Sequence, residues 1–399
     1  MYICLAGKND IAVGVLEELL RYRQNDSSIR ILSLVNNNDD GINGWQKSFR
    51  FYCNKYQIPI VELDDVYHLE EMLFLSCEYD RLIDTNKFSS NRLFNVHFSL
   101  LPKYKGMYTA VLPILYGEKE TGVTLHKIDN GIDTGSIIAQ KRIVIEYNDT
   151  SYDVYKKNIF HGTFLVKEFL PQLIYRPGDV KSVPQAKEGS TYFSRKIINF
   201  QSLKLEVNNT AYCVVKQVLA FAFRPYQLLK FKGIPIVRAK ILKTRSFCKP
   251  GTILQEDDNM FIIASVDYDV LLYKDRFDDL LEAIVQGKNE KVYSLPLIEV
   301  YLNEKNSKGW TPLMVATYNN NKEMFYFLLR MGASIYDLNN NGTNMLMYAK
   351  DCFVNTGDSE LFESLYRLGL SIYQKDYFGL SLKDYCKKQG ISSICRFKI

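Results

Sequence analysis

The sequence predicts an α/β chain in three parts. A doubly wound domain covers residues 1–180, a small antiparallel β-rich domain 181–290, and an α-helical repeat tail 291–399. Three observations carry that reading: strand-length apolar runs alternate with amphipathic segments in the first part, short β-rich runs divided by Gly and Pro follow, and a motif then recurs at a spacing of 33 residues. At 399 residues the chain is long enough to bury two or three cores without staples.

Taken in order, Tyr2–Ala6 is an apolar strand run that meets Gly7, Lys8, Asn9 and Asp10. Behind that Asp cap, Ile11–Tyr22 places Val13, Val15, Leu16, Leu19 and Leu20 at helical spacing. Ile29–Val35 repeats the strand signal, Trp45–Tyr56 reads as the second helix, Pro59–Leu63 as the third strand and Arg92–Phe98 as a later one. This alternation predicts a Rossmann-like open parallel sheet with ligands at the carboxyl ends of its strands. The first loop lacks G-x-G-x-x-G spacing, which argues against a dinucleotide. From about Lys181 the texture changes to a helical segment, Thr210–Arg224, followed by short β-rich runs at Gln227–Lys232, Val237–Leu242, Gly251–Leu254 and Phe261–Tyr273, as in a small antiparallel barrel-like domain.

In the tail, Gly309-Trp310-Thr311-Pro312-Leu313 is matched by Gly342-Thr343-Asn344-Met345-Leu346, and Leu328–Ser334 recurs as Leu365–Ser371. A spacing of 33 residues with Gly-x-Thr-Pro-Leu is that of an ankyrin repeat, and Phe378–Leu382 starts a third copy. The second interval is longer, and Val354–Asp358 is read as an insertion in the loop between helices. Such arrays bind partners along a concave face, here a partner of unknown identity, or serve as a structural appendage. Trp310 stands where the first turn projects; it is a candidate auxiliary ligand surface, or else packing between repeats.

Composition narrows the class. Fifty Lys and Arg against 45 Asp and Glu leave a net charge of only +5, with no solid block of one sign, so no nucleic-acid partner is indicated. The eight cysteines, Cys4, Cys53, Cys77, Cys213, Cys248, Cys352, Cys386 and Cys395, are scattered without a C-x-x-C pair, which indicates reduced thiols and no metal site. No leader pattern and no membrane-length apolar run are seen, so a cytoplasmic protein without membrane association is expected, and the Asn208-Asn209-Thr210 sequon is a chance match. The 28 Tyr and 23 Phe offer flat surfaces for ring-bearing ligands, although most should be core.

The chemistry concentrates in Leu93–Gly106 and Gly122–Gly135. Asn95 and His97 lie two apart on a predicted strand, so both side chains face one way at its carboxyl end. Downstream, Asp129-x-Gly131-x-Asp133-x-Gly135 forms a tight loop that can reach the His. Asn95-x-His97, Ser99-Leu100-Leu101-Pro102 and this loop resemble the formyltransferases that use N10-formyltetrahydrofolate, over roughly Met1–Pro177.

The resemblance implies transfer of a formyl group to an amine by Asn95, His97 and Asp133. Those residue types suit the reaction: attack on a formyl carbon makes an oxyanion and releases a proton, so Asn95 serves as donor, His97 as base, and Asp133 accepts from the other ring nitrogen. No metal is needed. His68, His126 and His161 fall outside the motifs and receive no role. For the formyl donor, the resemblance implies a pterin between Cys77–Arg81 (Cys77, Glu78, Tyr79, Asp80, Arg81) and Asp129, Asn130 and Gly131, with Leu101 near the mouth. Lys105, Trp45-Gln46-x-Ser48 and the ankyrin tail resemble the enzymes acting on dTDP-amino-dideoxy sugars, foremost dTDP-3-amino-3,6-dideoxy-D-glucose in O-antigen (lipopolysaccharide) synthesis. The galacto epimer and the 4-amino isomer are the near alternatives, and an ankyrin-mediated binding module with a relic enzyme domain is the reading of a different class. Lys8, Asn9, Asp10, Lys105 and Tyr108 are candidate substrate contacts, and a homodimer through the small β domain is the expected assembly by analogy.

Overall fold

A computed structural model describes residues 1–391, so Cys395 and the end of the repeat tail lie outside the described residues. The chain forms two compact units: Met1–Ile42 with Lys47–Asp275, and Asn43–Gln46 with the chain from Arg276 onward.

The first unit begins β1 Tyr2–Gly7, α1 Asn9–Asn25, β2 Arg30–Val35, α2 Phe49–Lys55, β3 Leu73–Cys77, β4 Leu93–His97, β5 Lys105–Gly106, α3 Leu112–Leu115, β6 Glu120–Lys127, β7 Ile137–Val144 and α4 Ser151–Tyr175. Six strands form the main sheet in the order β2-β1-β3-β4-β6-β7. The first four are parallel, as alternation predicts, with Gly7 opposite Cys77 and Cys77 opposite Val96. β6 runs antiparallel to both its neighbours, β4 and β7, which makes the sheet mixed and corrects the expectation of an open parallel sheet. Only residues 128–136 join β6 to β7, too few for the helical crossover that parallel neighbours need.

Two element readings also change. Pro59–Leu63 supplies only the single bridge Ser33–Ile60, and the third strand is Leu73–Cys77, buried along its whole length between β1 and β4. A strand covered on both faces shows no alternation, so its sequence lacks the period-2 signal. The second helix starts at Phe49 rather than Trp45 because Ser48 caps it, its hydroxyl accepting from the Phe51 N–H at 3.0 Å.

Helix α1 buries Ile11, Ala12, Val13, Val15, Leu16 and Leu19, and α4 packs beside it. Thr150 and Asp153 fix the start of α4 as a capping box. After α4 come β8 Tyr192–Phe193, α5 Ala211–Ala220, β9 Lys230–Phe231, β10 Ile234–Ile241, β11 Ile253–Glu256, β12 Met260–Ile263 and β13 Val270–Lys274. The last five strands make an antiparallel sheet, β11-β12-β13-β10-β9, in which the run read as Phe261–Tyr273 is two strands. One hydrophobic cluster joins Val111, Ile114 and Val154 to Val214 and Val218 of α5 and to Ile236, Phe261 and Leu272 of this sheet. The small sheet therefore shares a core with α3 and α4 of the first part of the chain.

The second unit is helical: α6 Phe277–Val285, α7 Asn289–Tyr293, α8 Pro312–Tyr318, α9 Lys322–Arg330, α10 Met345–Thr356, α11 Glu360–Arg367 and α12 Leu382–Gln389. Gly309 and Gly342 open their repeats at φ 79° and 77°, and a Cβ there would lie 2.4 Å from Asn340 Oδ1 and 2.6 Å from the Tyr377 ring, respectively. Only glycine fits such a turn against its neighbour. The insertion lies in a helix, not a loop, since α10 has 12 residues where α8 has 7. The α6–α7 pair precedes the first recognisable motif and carries no repeat signature in the sequence, because it lacks the Gly-x-Thr-Pro start. Among the described residues no helix is long and apolar enough to cross a membrane.

Candidate active site

Strand register assembles the site. Asn95 and His97 emerge at the end of β4, where Asn95 pairs with His126 and His97 with Thr124 on β6. Cross-strand partners on one face are neighbours, and Asn95 Nδ2 lies 3.1 Å from His126 Nε2. His126 Nδ1 is 2.7 Å from the Lys127 carbonyl oxygen, which only accepts. Nδ1 therefore carries the proton in neutral His126, and Nε2 accepts from the Asn95 amide.

Asp133 enters from the loop after β6 in a left-handed conformation, φ 54°. Its Oδ2 accepts from the Gly106 N–H at 2.9 Å, its Oδ1 lies 3.4 Å from Asn95 Nδ2, and Gln185 Nε2 donates to the carbonyls of Asp133 and Gly135 at 2.8 Å each. The buried His97 places Nε2 2.8 Å from the Tyr104 carbonyl oxygen and Nδ1 3.4 Å from Asp133 Oδ2. Nε2–H must donate to that carbonyl, so Nδ1 holds the lone pair of the neutral ring and faces Asp133. The partner of the second ring nitrogen is thus a main-chain carbonyl, and the basic nitrogen is the one beside the carboxylate.

Electrostatics agree with that protonation pattern. Burial holds His97 below its ordinary 6.5 against the opposing pull of Asp133 and the Tyr104 carbonyl. Burial pushes the Asp133 carboxyl up, but His97, His126 and the Gly106 N–H outweigh it and hold the carboxyl at about 2. At neutral pH the pair is a neutral imidazole next to a carboxylate. It can take a proton at Nδ1 and stabilise the resulting imidazolium as an ion pair.

The other predicted residues separate into groups. Cys77 is fully buried at the end of β3, and burial pushes its thiol up. Glu78 turns its side chain to Tyr155 and Asn9, while its carbonyl accepts from Asn36 Nδ2 at 3.0 Å. Tyr79 packs on the cluster of Cys4, Ala6, Leu34 and Phe74, Asp80 is exposed, and Arg81 reaches Glu62 and Asn37 at 3.2 and 2.9 Å. Leu101 is buried, its N–H on Thr124 Oγ1 and its carbonyl on Gln140 Nε2. Asp129 caps Gly131 N and Thr134 Oγ1, and Asn130 Oδ1 accepts twice from Thr85, tying this exposed loop to the segment after β3.

Lys8 precedes α1 and Asp10 accepts from the Lys47 N–H at 3.0 Å, so Lys8, Asn9 and Asp10 cluster at the end of β1. Lys105 Nζ instead contacts Ser190 Oγ at 3.1 Å, and Tyr108 donates to the Arg195 carbonyl at 3.0 Å. In the second unit Trp310 is half-buried, with ring centroids 5.3 Å from Tyr318 and 4.7 Å from Tyr348, packed between repeats. Sequence reading missed His126, Tyr155, Gln185 and the main-chain groups of Tyr104 and Gly106. For His126 a signal exists: it stands seven residues before Asp133, on the strand that leads into its loop.

A family model described as formyl transferase matches residues 64–167, and one for ankyrin repeats in three copies matches 280–376, which takes in most of α6 and all of α7. A methionyl-tRNA formyltransferase of Staphylococcus aureus strain JH1 is 30% identical over 234 residues, 55% of this chain and 74% of its own length. This chain belongs to the formyltransferase family. A further methionyl-tRNA formyltransferase, from Coxiella burnetii strain RSA 331, is 28% identical over 280 residues, 66% of this formyltransferase and 86% of the relative. Two crystal structures are more similar. WlaRD, a sugar 3N-formyltransferase solved with dTDP and 5-N-formyl-THF, is 38% identical at a TM-score of 0.62, covering 69% of this chain and 97% of its own. The N-formyltransferase of Helicobacter canadensis, in complex with folinic acid and dTDP-3-aminofucose, is 36% identical at a TM-score of 0.62, covering 68% and 99%. The formyltransferase is a formyl-transferring enzyme with an ankyrin-repeat tail.

Proposed function

We propose that this formyltransferase transfers the formyl group of N10-formyltetrahydrofolate to the amine of a dTDP-amino-dideoxyhexose, with dTDP-3-amino-3,6-dideoxy-D-glucose as the acceptor. The observation that carries the reading is the likeness to two sugar enzymes across 97% and 99% of their lengths, at 38% and 36% identity, above the 28–30% shared with the tRNA enzymes. The galacto epimer is the second reading, favoured by the aminofucose in the Helicobacter canadensis complex. On this proposal the reaction belongs to O-antigen synthesis in the cytoplasm, and the chain pairs as a homodimer.

The residues present fit a folate. Asn36 donates Nδ2–H to the Glu78 carbonyl and leaves its buried Oδ1 without a partner among the described residues, an acceptor suited to the N–H groups of a pterin. When bound, that group supplies the formyl carbon. Asn95 has two amide hydrogens: one is held by His126, and the other makes only a long, 3.4 Å contact to Asp133, which the oxygen that gains negative charge as the amine attacks can share. His97 takes the amine proton at Nδ1, Asp133 stabilises the imidazolium, and the same proton returns to the leaving nitrogen. Gly106 N–H and Gln185 keep Asp133 in place through these steps.

The test is incubation with N10-formyltetrahydrofolate and a panel of dTDP-3-amino and dTDP-4-amino sugars, beside charged methionyl-tRNA, with products read by mass spectrometry. The expected result is one added formyl group on a 3-amino sugar. Formylation of the tRNA alone overturns the sugar reading.

A further inference from the structure

The mechanism leaves one polar cluster beside the site unused. β1 and β3 are adjacent, and each is followed by a non-glycine residue in the left-handed region, Asn9 at φ 63° and Glu78 at φ 60°. That conformation is unfavourable for a side chain as long as Glu and persists only where the surroundings over-determine it. Here Tyr155 of α4 donates to Glu78 at 2.9 Å from Oε1 and 3.0 Å from Oε2, and Asn9 Nδ2 lies 3.2 Å from Oε2 and 3.3 Å from the Tyr155 oxygen.

The cluster adjoins the reacting groups. Cys77 is the register partner of Val96, so Glu78 follows β3 where His97 ends β4, and the Tyr155 ring packs edge-on against Phe98 at 5.9 Å. Glu78 is partly exposed and follows β3 at the carboxyl ends of the parallel strands, where an α/β crevice lies. Burial pushes the Glu78 carboxyl up, and in either protonation state its two oxygens keep acceptor capacity beyond the contacts from Tyr155 and Asn9. One turn further along α4, Asn158 is fully buried with neither amide atom bonded among the described residues, so more polar capacity lies beside this wall than the protein itself uses.

A rigid carboxylate, amide and phenol suit a hydroxyl that donates to one group and accepts from another. We infer that Asn9, Glu78 and Tyr155 form the wall that holds a ring hydroxyl adjacent to the reacting amine, and so select which amino sugar presents its nitrogen to His97. The inference rests on the amino-sugar reading above. It moves Glu78 from the formyl donor to the acceptor and adds Tyr155, which no sequence motif marks.

The experiment compares the wild-type protein with Glu78→Gln and Tyr155→Phe, using N10-formyltetrahydrofolate with dTDP-3-amino-3,6-dideoxyglucose and its 2-deoxy and 4-deoxy analogues. Wild type is expected to lose about 10- to 100-fold in kcat/KM on one analogue, the cost of leaving a buried polar group unpaired. In Glu78→Gln that penalty shrinks, the acceptor KM rises about 10-fold or more, and the donor KM holds. Tyr155→Phe removes a single hydroxyl and carries the same test should Glu78→Gln fail to fold. Wild-type turnover with unchanged discrimination in the variants, or a rise in donor KM alone, overturns this inference and leaves the sugar reading standing. No formylation of any dTDP-amino sugar by the wild type overturns both.

Discussion

Replacing Asp133 with Asn removes the charge that faces His97 and keeps the shape. At 3.4 Å, with an effective dielectric constant of about 20, a unit charge pair is worth roughly 5 kcal/mol. The amide dipole retains part of that, so the imidazolium formed during transfer should lose about 3–4 kcal/mol, or 10²- to 10³-fold in turnover. The pH profile adds a second readout. Asp133 raises the His97 pKa against burial, so without it the ring stays neutral to lower pH, and the acid limb of kcat/KM moves down while the plateau falls. Initial rates of formyl transfer from pH 5 to 9, with circular dichroism to establish the fold, measure both. Turnover within about fivefold of wild type, or an acid limb that moves up, would refute the assignment of Nδ1 as the basic atom.

The wild-type profile is itself informative. Because burial holds His97 below 6.5, more than half of the plateau kcat/KM should survive at pH 6.5; a midpoint above that value contradicts a neutral buried base. His126→Phe removes the acceptor that anchors Asn95, and should lower kcat by about 10- to 100-fold with KM for either substrate little changed. A kcat equal to wild type would make His126 a packing residue. In the second unit, Gly309→Ala places a methyl 2.4 Å from Asn340 Oδ1 at a positive φ and should cost about 2–4 kcal/mol, seen as a lower melting temperature.

The features legible in the sequence are those encoded locally. Asn95 and His97 share a face because they stand two apart on a strand, and Asp133 lies in a Gly-punctuated loop whose spacing is itself a signature. The turns at Gly309 and Gly342 are visible because a left-handed conformation against a neighbour admits little else. Leu73–Cys77 escaped as a strand because full burial erases the alternation that betrays a half-buried one. The extra residues near Val354 read as a loop in the sequence but extend α10, because helix length is set by the neighbours a helix packs against.

Residue order alone is enough to mark the strand that carries Asn95 and His97 and the loop that carries Asp133, because both signals are local. Tertiary structure alone decided which nitrogen of His97 holds the lone pair, because the deciding acceptor is the main-chain carbonyl of Tyr104, a group every residue has and no motif displays. It also decided that Asn95 rests on His126 across an antiparallel pair, and that Asn9, Glu78 and Tyr155 meet although 146 residues separate the first from the last. Hydrogen bonds of that kind are set by strand register and helix docking, which depend on burying the whole core at once.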